Sequence, residues 1–237
     1  MILALDFGNT RAKGACFKAE QLIESLSFTS AEELKNVVSE KMISQVVYAS
    51  VRKTTDWLAE LTIPVIQLTN STHIPITNAY GSPKTLGMDR LAAVVGAEAT
   101  YPKSNCLVID MGTCITFDFI DSGKVYHGGA ISPGVEMRLK ALHNFTGALP
   151  LVDKTESWTY MGSDTNSCIQ VGVMQGILDE LNGRISEYQS LYQDVHVVLT
   201  GGDVSLFESK IKAPIFVHPN LVLEGLNRIF IHGEANK

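Results

Sequence analysis

"LALDFGNTRAKGACF" (Leu3–Phe17) and "LVIDMGTCITFDFI" (Leu107–Ile120) have one outline in common. Each is an apolar run that ends in Asp-x-Gly, passes through Asn-Thr or Thr, and resumes as a second apolar run. Short apolar runs punctuated by glycine and small polar residues read as paired strands. Each stretch therefore predicts a hairpin with an aspartate, Asp6 or Asp110, at the end of its first strand.

The surroundings repeat as well. Strands are expected at about 2–6, 11–17 and 22–28, with two more at 46–50 and 65–68. Helices are expected from Ser30 toward Lys41, where Ser30 and Glu33 have capping-box spacing, and from Met88 to Thr100. After residue 105 the pattern restarts, with strands at 106–110, 115–120 and 124–131 and a helix after Pro133-Gly134. A long helix from Thr165 to Tyr192, a strand at 195–199, a short strand near 215–217 and a closing helix complete the chain. Strand-turn-strand-strand followed by helix thus occurs twice. The repeat predicts two mixed α/β lobes, 1–105 and 106–237, with a ligand cleft between them.

Composition narrows the function classes. The 237 residues are 45% hydrophobic and 19% charged, ample for a packed core. No run is long enough for a membrane span, and the N-terminal apolar stretch is broken by Asp6 and lacks a basic flank, unlike a secretory signal. Cys16, Cys106, Cys114 and Cys168 show neither disulfide nor zinc spacing. A net charge of −6 without a basic stripe speaks against nucleic acid. The expectation is a cytoplasmic protein with no nucleic-acid or membrane partner.

The hairpins suggest phosphate chemistry. Gly8 permits a sharp turn and close approach to a ligand, and Asn9 and Thr10 add polar groups beside exposed backbone N–H groups. Asp6 offers a carboxylate to a hard cation such as Mg²⁺, which takes one or two carboxylates and keeps several waters. Gly112, Thr113 and Thr116 repeat the arrangement beside Asp110. A single such turn is common, but two in equivalent places of two repeats can grip a polyphosphate from both sides.

This pattern resembles the phosphate-binding hairpins of the actin, sugar-kinase and acetate-kinase superfamily. The resemblance implies a duplicated ribonuclease H-like (actin-like ATPase) α/β fold, with a mixed sheet flanked by helices in each lobe. "VVLTGGD" (Val197–Asp203) matches the superfamily's adenosine-contacting turn at Gly201-Gly202. "YGSPKTLGMDR" (Tyr80–Arg90) and "GGAISPG" (Gly128–Gly134) narrow the likeness further, to the type III pantothenate kinases. Cys114 stands where that family more usually has alanine.

The family resemblance implies transfer of the ATP γ-phosphate to the primary hydroxyl of pantothenate, the first step toward coenzyme A. Asp89 would be the base. Tyr80, Gly87, Met88, Arg90 and, from a partner subunit, Thr165 would join it in binding pantothenate. ATP would contact Asp6, Phe7, Gly8, Asn9, Thr10, Arg11, Ala12 and Lys13, together with Gly112, Thr113, Gly201 and Gly202. Asp6 would lie near Mg²⁺, and Asp110 would help hold a monovalent cation, K⁺ or NH₄⁺. A homodimer is implied if Thr165 serves a neighbouring site, with part of the helix carrying Val171, Met174, Leu178, Leu181 and Ile185 in its interface. Two alternatives stay open: a kinase for another small hydroxylated acid or sugar, and a nucleotide-binding regulator that has lost turnover.

Overall fold

The computed structural model describes residues 1–7, 12–50 and 56–236. Two compact units emerge. One comprises Met1–Lys103, Ile120–Gly128 and Asn220–Lys237, the other Ser104–Phe119 and Gly129–Pro219. The first break lies beside the expected boundary at residue 105, but a hairpin tip and the C-terminal segment return to the first unit.

In the first unit, β1 (Ile2–Phe7), β2 (Ala12–Lys18) and β3 (Gln21–Phe28) form an antiparallel meander. After α1 (Ala31–Glu40), β4 (Gln45–Ser50) and β5 (Val65–Gln67) add in parallel, giving the order β3-β2-β1-β4-β5. Ser30 caps α1 by accepting the Glu33 N–H at 3.2 Å. Side chains alternate across a strand, so the register decides what each face buries. Leu3, Leu5, Cys16, Val46 and Tyr48 pack with Leu34 and Val38 of α1 in one core cluster. The opposite face carries the smaller Ala4, its cross-strand partners Ala15 and Val47, and then Asp6 opposite Lys13 and Ala49.

β6 (Thr77–Asn78) is only two residues long, and α2 (Met88–Thr100) follows it. α2 is buried from Arg90 to Glu98, and its central stretch from Leu91 to Ala97 is apolar on every face, as expected of a buried helix. The C-terminal helix packs along it and explains why the chain returns to this unit. A Cβ at Gly225 would lie 1.8 Å from the Ala92 carbonyl oxygen, and one at Gly96 would lie 2.6 Å from that of Leu221. The two glycines let the backbones touch and hold the body of α2 against the C-terminal helix.

The second sheet contains β7 (Asn105–Met111), β8 (Cys114–Ile120) and β9 (Val125–Pro133), followed by α3 (Val135–Asn144) and α4 (Thr165–Leu191). β10 (Val195–Thr200) and β11 (Phe216–Val217) complete it before α5 (Leu221–Ala235), and the strand order is β11-β10-β7-β8-β9-β6. α4 buries Ile169, Val173, Met174, Ile177, Leu178, Leu181 and Ile185. Val171, expected on that stripe, is only half-buried, because the helical repeat places it beside the face rather than on it.

Candidate active site

Asp6 stands near the end of β1 on the small-residue face, with Lys13 as its cross-strand neighbour. Its carboxyl is raised from 3.8 to about 6, mainly by burial, then by the negative charge of Asp89, with Lys13 pulling the other way. The carboxylate thus meets more desolvation and repulsion than Lys13 offsets, a setting that a cation would relieve. Phe7 and Ala12 belong to the core cluster, Phe7 meeting Tyr48 and Trp57 edge-on at 6.1 and 5.9 Å. Their side chains are therefore committed to packing, leaving their backbone for a ligand. Gly8, Asn9, Thr10 and Arg11 lie outside the described residues.

The Gly87-Met88-Asp89-Arg90 element opens α2, with Gly87 itself the N-cap residue. Asp89 Oδ1 accepts the Arg90 backbone N–H at 2.8 Å. A Cβ at Gly87 would lie 2.3 Å from that same oxygen. Glycine at 87 thus leaves room for the carboxylate to fold back over the helix start, where the unpaired N–H groups favour negative charge. Arg90 is 7% exposed, and its guanidinium carbon lies 5.6 Å from the centroid of the Tyr80 ring. Burial makes Arg90 more than a surface charge.

Tyr80 has supports that the sequence did not reveal. β6 pairs in parallel with β9, Thr77 opposite Val125 and Asn78 opposite Tyr126. Ala79 N–H donates to the Tyr126 carbonyl, and Tyr80 N–H donates to Asn78 Oδ1, both at 3.0 Å. The Tyr80 ring lies 6.0 Å from that of Tyr126 and within 20° of parallel. Hydrophobic patterning could have flagged Tyr126 as buried, but not this long-range pairing.

The second unit holds its own cluster. In the β7–β8 hairpin, Gly112 N–H donates to the Cys114 carbonyl at 3.0 Å, and Thr113 O accepts from Gly134 N–H at 3.0 Å. A Cβ on Gly112 would approach Asp110 Oδ1 at 3.5 Å. Asp110 is opposite Thr200 in the parallel β7–β10 pair, so the hairpin aspartate and the Gly201-Gly202 turn share one strand end. Gly201 adopts φ +103 and sits on the Met111 backbone, where a Cβ would come within 2.5 Å. Asp203 N–H donates to the Met111 carbonyl at 3.0 Å, and Lys154 bonds Asp203 at 2.7 Å.

Thr165 is the first residue of α4 and is exposed. The cap itself is Asp164, which forms a reciprocal capping box with Ser167 and whose carboxyl is lowered by those bonds. The described candidates therefore form two groups. Asp6, Lys13, Tyr80 and Gly87–Arg90 belong to the first unit; Asp110, Gly112, Thr113, Thr165, Gly201 and Gly202 belong to the second. Among the described residues, no three His, Cys, Asp or Glu side chains gather as a metal cage. Paired carboxylates completed by phosphate oxygens suit Mg²⁺ better than an all-protein site. No described helix is long and apolar enough to cross a membrane.

Comparison with known proteins shows the family of the chain. The family model for type III pantothenate kinase matches residues 2–187. A type III pantothenate kinase of Bacteroides fragilis is 44% identical over 235 residues, covering 97% of each chain. One from Flavobacterium johnsoniae is 40% identical over 237 residues, again covering 97% of each. Among solved structures, a Baf family protein of Campylobacter jejuni, assigned as a transcriptional activator, superposes with TM-score 0.66 at 20% identity, covering 98% of this chain and 99% of that one. The activator of the 2-hydroxyisocaproyl-CoA dehydratase of Clostridium difficile, with bound ADPNP, gives 0.57 at 13%, covering 99% and 96%. These two structural likenesses establish the fold alone, an α/β fold of the actin-like ATPase type.

Proposed function

This chain belongs to the type III pantothenate kinase family, and from that premise we propose how its residues share the work of phosphorylating pantothenate with ATP. The reaction moves the γ-phosphoryl group to the primary hydroxyl of pantothenate, giving 4′-phosphopantothenate and ADP. Asp89 accepts the hydroxyl proton as the oxygen attacks. Positioning and charge stabilisation dominate such transfers, so the base needs placement more than unusual basicity. Its place at the start of α2 is fixed by the Gly87 cap and the bond to Arg90 N–H. Arg90 binds the pantothenate carboxylate through its planar fork, beside Tyr80. Met88 lines the same pocket.

Asp6 would hold Mg²⁺, which when bound would supply positive charge to the phosphates. The raised carboxyl of Asp6 supports this role, since it marks a site short of compensating charge. Lys13 and the backbone of residues 7–12 contact the phosphates. In the second unit, Gly112 and Thr113 hold the nucleotide, Gly201 and Gly202 take its adenosine, and Asp110 would hold a K⁺ or NH₄⁺ ion. Thr165 reaches the pantothenate of a partner subunit in a homodimer. Exposed Phe145 (88%), Tyr160 (84%) and Met161 (79%) lend apolar area to such an interface. A Cβ at Gly172, Gly176 or Gly183 on α4 would meet nothing within 4 Å among the described residues, leaving room for close approach. The protein works in the cytoplasm, where ATP is supplied.

Asp89 beside the buried Arg90 at the start of α2, with its charge felt at Asp6 on β1, carries this reading. The test is an ATP- and Mg²⁺-dependent assay offering pantothenate and a panel of sugars, with and without K⁺. Phosphopantothenate formed preferentially, and faster with K⁺, is the expected result. Phosphorylation of a sugar instead would move the chain to another acceptor. ATP binding without turnover on any acceptor would make it a regulator.

A further inference from the structure

Tyr80 is held by three features, two at its ring and one at its backbone, and Gly128 stands out among them. Gly128 adopts φ +92, a conformation that residues with a Cβ rarely enter. A Cβ there would lie 2.8 Å from Cδ2 and 3.0 Å from Cε2 of Tyr80. The ring therefore occupies the space that any other residue at 128 would need. Two residues earlier in β9, Tyr126 is 0% exposed and stacks on the same ring. The Asn78 side chain fixes the Tyr80 backbone. A fully buried tyrosine with a left-handed glycine beside it forms a rigid seat, and the seated ring carries the Arg90 guanidinium.

We infer that Gly128 and Tyr126 are positioning residues for acceptor binding: they hold Tyr80 in the place from which it orients Arg90 toward the substrate carboxylate. This rests on the assignment of Arg90 and Tyr80 to the pantothenate carboxylate. Guanidinium–carboxylate recognition is directional, so a ring displaced by a methyl group misaligns the fork although both partners are still present. Cation–π contact weakens with the same displacement. The glycine is thus required at 128 by the aromatic ring over it as well as by its own backbone.

A double-mutant cycle on the full chain separates these two requirements. Gly128→Ala is expected to raise KM for pantothenate about tenfold while kcat stays within about threefold. In a Tyr80→Ala background, where the ring is gone, Gly128→Ala is expected to change KM by less than about twofold. Equal KM penalties in both backgrounds, or none in either, would overturn the inference, because backbone strain at 128 acts whether or not the ring is there. Tyr126→Leu keeps the test decisive if Gly128→Ala fails to fold, and the same dependence on Tyr80 is expected of it. Arg90→Ala runs in parallel. If it leaves KM for pantothenate unchanged, the carboxylate assignment fails and the inference falls with it. If it raises KM while the Gly128 and Tyr126 variants show no coupling to Tyr80, only the seat is refuted.

Discussion

The two hairpins share a sequence outline and differ in what surrounds them. At the first, Asp6 faces Lys13 across the hairpin and feels the charge of Asp89, and its carboxyl is pushed up to about 6. At the second, Asp110 is opposite Thr200, and the strand beside it runs directly into the Gly201-Gly202 turn seated on Met111. The first hairpin is thus surrounded by groups suited to a metal and an acceptor, the second by backbone suited to a nucleotide. Duplication supplied the strand-end aspartate twice. The start of α2 beside one copy and the turn after β10 beside the other give each different neighbours, on which the proposed division of roles rests.

The sharpest way to break this contrast is to remove the base on the first side. Asp89→Asn is expected to lower kcat by about 10³-fold, within the range for a lost general base, measured under saturating ATP and pantothenate. Activity within a few-fold of wild type would show that the first group does not carry the proton transfer.

On the second side, Gly201→Ala introduces a Cβ at φ +103 and within 2.5 Å of the Met111 backbone. A stability loss of about 2 kcal/mol is expected in urea unfolding, together with a raised KM for ATP and little change in that for pantothenate. An equal rise in both would blur the division between the hairpins.

The titration of Asp6 sharpens the contrast further. In the folded chain its carboxyl keeps its proton to about pH 6, against 3.8 unfolded, so folding takes up a proton between those values. The carboxyl's contribution therefore opposes folding increasingly as pH rises through that window and levels off above it. Because the side chain keeps some solvent contact, the change is expected to be about 1 kcal/mol, and Asp6→Asn should flatten it. A slope that persists in Asp6→Asn would assign it to another group. The smallest effect is expected at the cap before Thr165. Asp164→Ala, which removes the reciprocal bonds with Ser167, should lower the thermal midpoint slightly.

Much of this was legible in the sequence because it is local. Both hairpins, the five helices and the Gly-Gly turn follow from apolar periodicity and punctuation, and the structure places them within a few residues of expectation. Family motifs named Asp89, Arg90 and Tyr80. Long-range relations were not legible. A two-residue strand such as β6 carries no periodic signal, so the Tyr126–Gly128 seat under Tyr80 is invisible until β6 finds β9. The apolar pattern of α5 announces a buried face without saying which helix it meets, and only the Gly96 and Gly225 contacts with Leu221 and Ala92 show why it joins the first unit. Asp6 reads in sequence as a strand-end carboxylate suited to a cation, and its raised carboxyl exists only once folding buries it and brings the charge of Asp89 to bear.

One pair of measurements tests the division of labour most directly: ATP affinity and single-turnover phosphoryl transfer to pantothenate, on wild type, Asp89→Asn and Asp110→Asn. Asp89→Asn is predicted to bind ATP as wild type does and to transfer almost no phosphate, whereas Asp110→Asn is predicted to lose ATP affinity and its response to K⁺. If Asp89→Asn lost ATP binding, or Asp110→Asn left both affinity and K⁺ response intact, the two hairpins would not be specialised as described.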